Sequence, residues 1–315
     1  MNMLSRIADN LFWLNRYMER TDGLVRTLRN FYILSFEKDV NDSKGYQPLL
    51  YCFSALTGDE LASMSTRTND MLRYLITDTG NSNSIRVLVG KARENARGSQ
   101  DKITKELWEQ INSLYHYINN PALNEKLNGG DELSVMDNLH LETLLYNGVV
   151  DSTMPRGMGW NFMNTGKYLE RCLQTLDMTE FYLDQIDYRL DDAGDVSYWR
   201  HLLLSLSGYE LYLKNNRGNM HTRQVIDQVI FSSDFTHSVL YGLERISKYL
   251  KEMTQGNPLQ SAVSLQKQLG RLKSQVEYTD APNLNNEQLK ELLSDIRKQI
   301  WDFSTNFSKL FFSYT

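Results

Sequence analysis

Along most of the chain apolar residues recur at every third or fourth position, the period of a helix that buries one face. The first such stretch runs from about Ser5, a good N-cap type, to Tyr32. Ile7, Leu11, Leu14, Tyr17, Met18, Leu24, Val25 and Leu28 fall in one broad apolar arc. Asn15, Glu19, Asp22 and Arg26, spaced i, i+4, i+7, i+11, form a narrow polar strip beside that arc. A strip at the edge of a buried face is expected to be half-buried, where charges need partners.

Glu37 to Gly45 is polar and reads as a loop. Helices are then predicted from near Pro48 and over Asp59 to Ile76. Asn81-Ser82-Asn83-Ser84 is a cluster of capping residues opening a helix to Arg97, with Gly98 as its stop. Asp101 to Ile118 follows, and after the Asn128-Gly129-Gly130-Asp131 turn a helix covers Glu132 to Asn147. The second half repeats the pattern over Trp160 to Leu183, Tyr198 to Lys214, Arg223 to Phe231 and Ser238 to Met253. Asn257-Pro258 marks a turn before a helix from Leu259 to Tyr278. Pro282-Asn283 breaks the chain before a last helix from near Asn285. That helix ends in Phe311-Phe312-Ser313-Tyr314, an aromatic tail suited to docking on the body or on a partner.

Eighteen glycines and five prolines in 315 residues are too few turn formers for a sandwich or barrel. The expected fold is therefore all-α, a helical bundle.

Its halves are related. Arg16-Tyr17-Met18-Glu19-Arg20 returns as Lys167-Tyr168-Leu169-Glu170-Arg171, 151 residues on. Ala55-Leu56-Thr57-Gly58 resembles Ser205-Leu206-Ser207-Gly208 at offset 150. Leu75-Ile76 and Ser84-Ile85 match Val229-Ile230 and Ser238-Val239 at offset 154. Matches in one order at nearly one offset argue for a tandem duplication, residues 1–150 and 151–315, packed as one unit. The alternative is chance similarity between amphipathic helices.

A net charge of −5 disfavours nucleic acid as a partner. No stretch of about 18 uncharged apolar residues offers a membrane span. Met1 to Tyr17 is broken by Arg6, Asp9 and Arg16 and does not read as a signal peptide. Cys52 and Cys172 make no disulfide framework, so a reduced compartment and a cytoplasmic location are expected.

Arg86, Arg93 and Arg97 are spaced i, i+7, i+11 and lie within about 40° of one another around a helix. Gly90 falls beside them and leaves room in front. Three guanidiniums on one stripe repel unless something anionic sits opposite. Glu19 and Asp22 are candidates, and a carboxylate or phosphate ligand is another. The competing reading is an exposed basic face or an internal Arg–Glu lattice. Glu19-Arg20 and Glu170-Arg171 are adjacent pairs whose members point about 100° apart. Each residue must reach a different neighbour, either to knit helices together or to line a pocket with both signs of charge.

His116, His140, His201, His221 and His237 show no two-histidine metal spacing, and His140-x-Glu142 splits across a helix, so no metal is expected. Neither G-x-x-x-x-G-K-[ST] nor G-x-G-x-x-G occurs, so no nucleotide cofactor is implied. There is no G-x-S-x-G elbow either. Cys172 reads as core rather than nucleophile, and Met158, Trp160 and Phe162 as packing residues.

The run from Met3 to Arg26, MLSRIADNLFWLNRYMERTDGLVR, is followed by Asn83-Ser84-Ile85-Arg86, Ala92-Arg93-Glu94-Asn95-Ala96-Arg97 and Gly166-Lys167-Tyr168-Leu169-Glu170-Arg171. Together these resemble the bacterial alpha-E family over nearly the whole chain. The resemblance implies an all-helical fold. It also implies a genomic neighbourhood of circularly permuted ATP-grasp proteins and transglutaminase-like proteases, and hence a part in making or processing a peptide-like amide. That link is one of association. The family's Arg-Tyr-x-Glu-Arg element falls on Arg16, Tyr17, Glu19 and Arg20, and its arginine-rich helix on Arg86, Arg93, Glu94, Asn95 and Arg97. In the second repeat Gly166, Leu173 and Asp177 replace Asn15, Asp22 and Arg26, so any site is expected to be asymmetric.

Two functions follow from the resemblance and the charged residues. One is an accessory protein that binds an ATP-grasp enzyme or holds an anionic, peptide-like ligand. The other is an enzyme using Glu19, Arg86, Arg93 and Arg97 on an acidic substrate. Both place Glu19 and the arginine stripe at a common polar site.

Overall fold

The computed structural model describes residues 5–36, 46–189, 196–216, 221–256 and 260–312. The expected loop at Glu37–Gly45, the Asn257-Pro258 turn and the tail residues Ser313 and Tyr314 lie outside them. The fold is all-α, with no strand among the described residues. Two compact units form, one of Trp13–Arg156 and one of Met1–Phe12 with Gly157–Thr315.

In the first unit α1 (Ser5–Leu34) supplies the central helix from Trp13 onward. Short helices α2 (Gln47–Phe53), α3 (Gly58–Ser65) and α4 (Thr68–Ile76) follow. Three longer ones are α5 (Ile85–Gly98), α6 (Lys105–Ile118) and α8 (Glu132–Thr153), with a one-turn helix α7 at Ala122–Lys126. α6 packs between α5 and α8. The helix expected over Asp59–Ile76 is broken at Thr66-Arg67. There the Ser65 and Thr66 hydroxyls donate back to the Ala62 and Ser63 carbonyls, a local bonding that competes with continuation of the helix. α6 starts at Lys105 rather than Asp101, because Thr104 caps it by accepting from the Leu107 amide.

The second unit repeats the sequence of elements. α9 (Met158–Gln185) leads. α10 (Val196–Ser205), α11 (Tyr209–Asn215) and α12 (His221–Ile226, continued as a wide π turn over Asp227–Phe231) are the short helices. α13 (Val239–Thr254), α14 (Gln260–Glu277) and α15 (Asn286–Phe311) are the long ones. α1, α5, α6 and α8 thus recur as α9, α13, α14 and α15, with a matching pattern of helix contacts.

The helix expected over Tyr198–Lys214 is also split. Ser207 takes φ +56°, and the Gly208 amide donates to the Leu203 carbonyl at 2.7 Å. Ser207 N–H reaches Leu204 O, so the pair closes α10 as a left-handed cap. Gly208 has no room for a side chain, since a Cβ would meet the Phe235 ring and the Gln228 amide. Phe12, Phe162, Phe307 and Phe312 form an aromatic core, with Phe12 and Phe307 stacked at 5.4 Å. Phe311 and Phe312 of the aromatic tail dock within this unit, against Phe162 at 5.3 and 6.0 Å.

The capping signals recur at the same places. Ser84 accepts from the Val87 amide at 3.3 Å and Ser238 from the Tyr241 amide at 3.0 Å, opening α5 and α13. Asn285 opens α15 with a reciprocal capping box to Gln288.

Candidate functional site

α1 is buried on almost every side, and so is α9. Each carries an adjacent Glu-Arg pair at its middle. Glu19 is 3% exposed and Glu170 2%. Arg171 is buried and Arg20 half-buried.

The two arginines do equivalent work. Arg20 Nη1 donates to Asn83 Oδ1 at 2.9 Å, and Arg171 Nη1 donates to the Thr236 carbonyl at 3.1 Å. Asn83 and Thr236 both lie in the loop that ends at the N-cap serine of the next long helix, Ser84 or Ser238. The arginine of each pair therefore ties its central helix to the start of α5 or α13. Thr175 adds a second tie in the second unit, its hydroxyl donating to the His237 carbonyl at 2.7 Å.

The polar strip of α1 lies deeper than its sequence position implied. Asn15, Arg16, Glu19, Asp22 and Arg26 are all buried. Asp22 Oδ2 and Arg26 Nη1 pair at 2.7 Å along the helix. The Arg16 guanidinium lies 4.6 Å from the centre of the Trp13 ring. From α8 the Tyr146 hydroxyl donates to Asn15 Oδ1. Full burial, reinforced by the negative charge of Glu19, raises the pKa of this phenol, so it stays protonated as a donor. His140, also on α8, is half-buried beside Asp22, Arg26, Arg29 and Asp137. Burial is the main cause of its lowered pKa. Asp22 and Asp137 oppose the shift, while Arg29 and Arg26 add to it.

The arginine stripe of α5 serves three separate purposes. Arg86 Nη1 donates to the Thr77 carbonyl at 3.0 Å, and its Nη2 and Nε to the Ile118 carbonyl at 3.2 and 3.4 Å. Thr77 is the C-cap of α4 and Ile118 the last residue of α6. Arg86 thus places one cation at the negative ends of two helices. Arg93 donates Nε to Asn112 Oδ1 at 2.6 Å and lies over Tyr115, 4.5 Å from the ring centre. Arg97 pairs with Glu94 at 2.6 Å on the open surface, and Glu94 also lies 3.6 Å from Arg93. Asn95 is half-buried, its carbonyl accepting from the Ser99 hydroxyl.

The three arginines of the stripe each have partners of their own. Arg86 is claimed by helix-end carbonyls, Arg93 by Asn112 and aromatic rings, and Arg97 by its neighbour Glu94. Glu19 lies close enough to Tyr146 for its charge to act on the phenol that is bonded to Asn15. The expected asymmetry has a counterpart in the second unit. Asp177, which stands where α1 has Arg26, turns to Arg297 of α15 at 2.6 Å, alongside Glu180.

Tyr146, His140 and Asn83 also belong to this site; the sequence pattern points to His140 only as a rejected metal ligand, and does not point to Tyr146. Tyr146 lay within a buried-helix spacing that also suits plain core residues. Asn83 reads from sequence as a capping type and as part of the Asn83-Ser84-Ile85-Arg86 motif, with no sign of its bond to Arg20.

The geometry offers carboxylates, guanidiniums, an amide and a phenol donor within a buried setting. Among the described residues no group of three or more His, Cys, Asp and Glu side chains is placed to hold a metal ion. No described helix is long and apolar enough to cross a membrane.

Comparison with known proteins supplies the remaining findings. A family model named Alpha-E, described as a predicted alpha-helical domain with a conserved ER motif, matches residues 3–312. Uncharacterized proteins of Mycobacterium bovis and of two strains of Mycobacterium tuberculosis are each 21% identical over 266 residues. The match covers 79% of this chain and 30% of each relative, so the chain spans less than a third of their length. No solved structure gives a significant match.

Proposed function

The chain belongs to the Alpha-E family, and from that premise we propose that it is an accessory, substrate-holding protein in an ATP-grasp-linked system that forms a peptide-like amide. The ER motif of the family description is taken here as Glu19-Arg20 and Glu170-Arg171, the pair that recurs at offset 151, rather than Glu244-Arg245. The arginines of the two pairs anchor loops, and the reading assigns recognition to the buried glutamates and the rest of the α1 strip.

One observation carries the reading. α1 buries Asn15, Arg16, Glu19, Asp22 and Arg26 within little more than three turns. Each buried ion costs several kcal/mol of desolvation, and an apolar packing of the same volume would often be more stable. A strip retained against that cost fits a helix that recognises a polar ligand. Guanidinium forks match carboxylates, and the carboxylates of Glu19 and Asp22 match amide or ammonium donors. The greater length of the mycobacterial relatives is in keeping with a domain that works beside other polypeptide.

Thermal unfolding with a panel of short glutamate-containing peptides tests the proposal. A bound peptide raises Tm as RT ln(1 + [L]/Kd). The expected result is a saturable rise with at least one acidic peptide, reduced by Arg16→Lys, which keeps the charge and removes the fork. A panel that leaves Tm unchanged in the wild-type chain would reject ligand holding at this strip.

A further inference from the structure

α8 is apolar on two faces. Its inner face buries Val135, Met136, Leu139, Tyr146 and Val150. Its outer face presents Leu141, Leu144 and Leu145, at 61%, 50% and 52% exposure, with Leu133 a further two turns toward the N-terminus. Leu141, Leu144, Leu145 and Gly148 share one arc of the helix at 100° per residue, and the half-exposed Asp137 separates Leu133 from them. Gly148 extends the arc without bulk, a Cβ there meeting nothing within 4 Å.

The second repeat provides an internal control. Buried and exposed positions alternate in the same order over residues 141–150 of α8 and 291–300 of α15. At the positions matching Leu141, Leu144, Leu145 and Gly148, α15 carries Glu291, Ser294, Asp295 and Lys298. The fold therefore has no need of leucine on this face. A contiguous exposed apolar patch on one copy of a duplicated helix marks a contact surface.

Charge selects what covers it. α8 holds Glu132, Asp137, Glu142 and Asp151 and no lysine or arginine. Arg29 answers Asp137 and Arg156 answers Asp151, whereas Glu142 receives only the Gln110 amide. The neighbouring helix α6 adds Glu106, and Glu109 paired with Lys105 at 3.5 Å. A second copy would bring the same carboxylates against these, and an anionic lipid surface would be repelled. We infer that the leucine face of α8 docks an apolar helix of another polypeptide whose flanks are rich in lysine and arginine. The inference stands apart from ligand holding by α1, since it concerns a different face and is read by a different measurement.

The probe is a fluorescein-labelled amphipathic helical peptide of about 18 residues built from leucine and lysine, titrated against the full chain by anisotropy. The comparison is the triple variant Leu141→Glu, Leu144→Ser, Leu145→Asp, which installs the residues tolerated by α15. Circular dichroism confirms that it folds, and Leu144→Ser alone replaces it if it does not. The expected result is binding weakened about tenfold or more in the variant. It should also weaken in the wild type as salt rises from about 0.05 to about 0.5 M, and be absent with a leucine–glutamate peptide of the same pattern. Purely electrostatic attachment would strengthen in the triple variant, which gains two carboxylates. Equal or tighter binding by the variant would overturn the inference, as would equal binding of the two peptides. So would a leucine-dependent dimer in sedimentation, or leucine-dependent binding to phosphatidylserine vesicles.

Discussion

Arg86 shows what a buried-face arginine does when no carboxylate faces it. Its guanidinium closes the carbonyl ends of α4 and α6 at once. Arg86→Met should cost about 1.5–3 kcal/mol in urea unfolding, the range for hydrogen bonds to a charged donor. Arg97→Ala, which removes an exposed pair with Glu94, should change stability by no more than about 0.5 kcal/mol. Sequence placed both residues on one stripe and could not separate them. The acceptors for Arg86 are backbone carbonyls, which no side-chain pattern records. Glu180 gives a prediction in pH. Burial pushes its carboxyl up to about 7, outweighing the attraction of Arg297, with Asp177 and Asp184 adding to the rise. The folded chain then holds a proton that the unfolded chain has released. Its stabilising contribution is full below about pH 4.5 and is lost as pH rises through about 7. Glu180→Gln should flatten the decline in stability measured between about pH 5 and pH 8, and an unchanged slope would count against this assignment.

Among the elements, the helix starts were the most legible. Ser84 reads as a cap from sequence, helices are expected to begin at Ser238 and near Asn285, and all three act as caps in the fold, because an N-cap is a local bond between a side chain and an amide three residues on. The breaks at Thr66-Arg67 and Ser207-Gly208 were not legible. Periodicity continues across both, and the second depends on Phe235 and Gln228, which are distant in sequence. Contacts of that kind also set apart two glycines that look alike in sequence. A Cβ on Gly242 would run into the Cys172 sulfur and approach the Tyr168 carbonyl, so α13 lies against α9 only because residue 242 is glycine. Gly90 in α5 has open space around the same position. Gly242→Ala should destabilise by about 1–3 kcal/mol through overpacking. Gly90→Ala should stabilise by up to about 1 kcal/mol, the gain in helix propensity. Paired calorimetric Tm measurements check both signs.

For the whole molecule, the duplication was visible as four short matches at nearly one offset, and the fold carries it through every long helix. What sequence did not convey is how the copies differ. The ER arginines do the same job twice, while Asp22 and Arg26 pair along α1 and their counterparts Leu173 and Asp177 do not. The proposed ligand-holding role rests on the charged strip of α1, which α9 repeats only in part. Turnover decides this most directly. The purified chain, a circularly permuted ATP-grasp protein, and the two mixed are each supplied with ATP, a peptide-like acid and an amine acceptor, and amide product is counted against ADP released. Product should appear faster in the mixture than with the ATP-grasp protein alone, and Glu19→Gln should remove the gain. The chain alone should form none. Product from the chain by itself, or a mixture no faster than the ATP-grasp protein alone, would contradict an accessory, substrate-holding role.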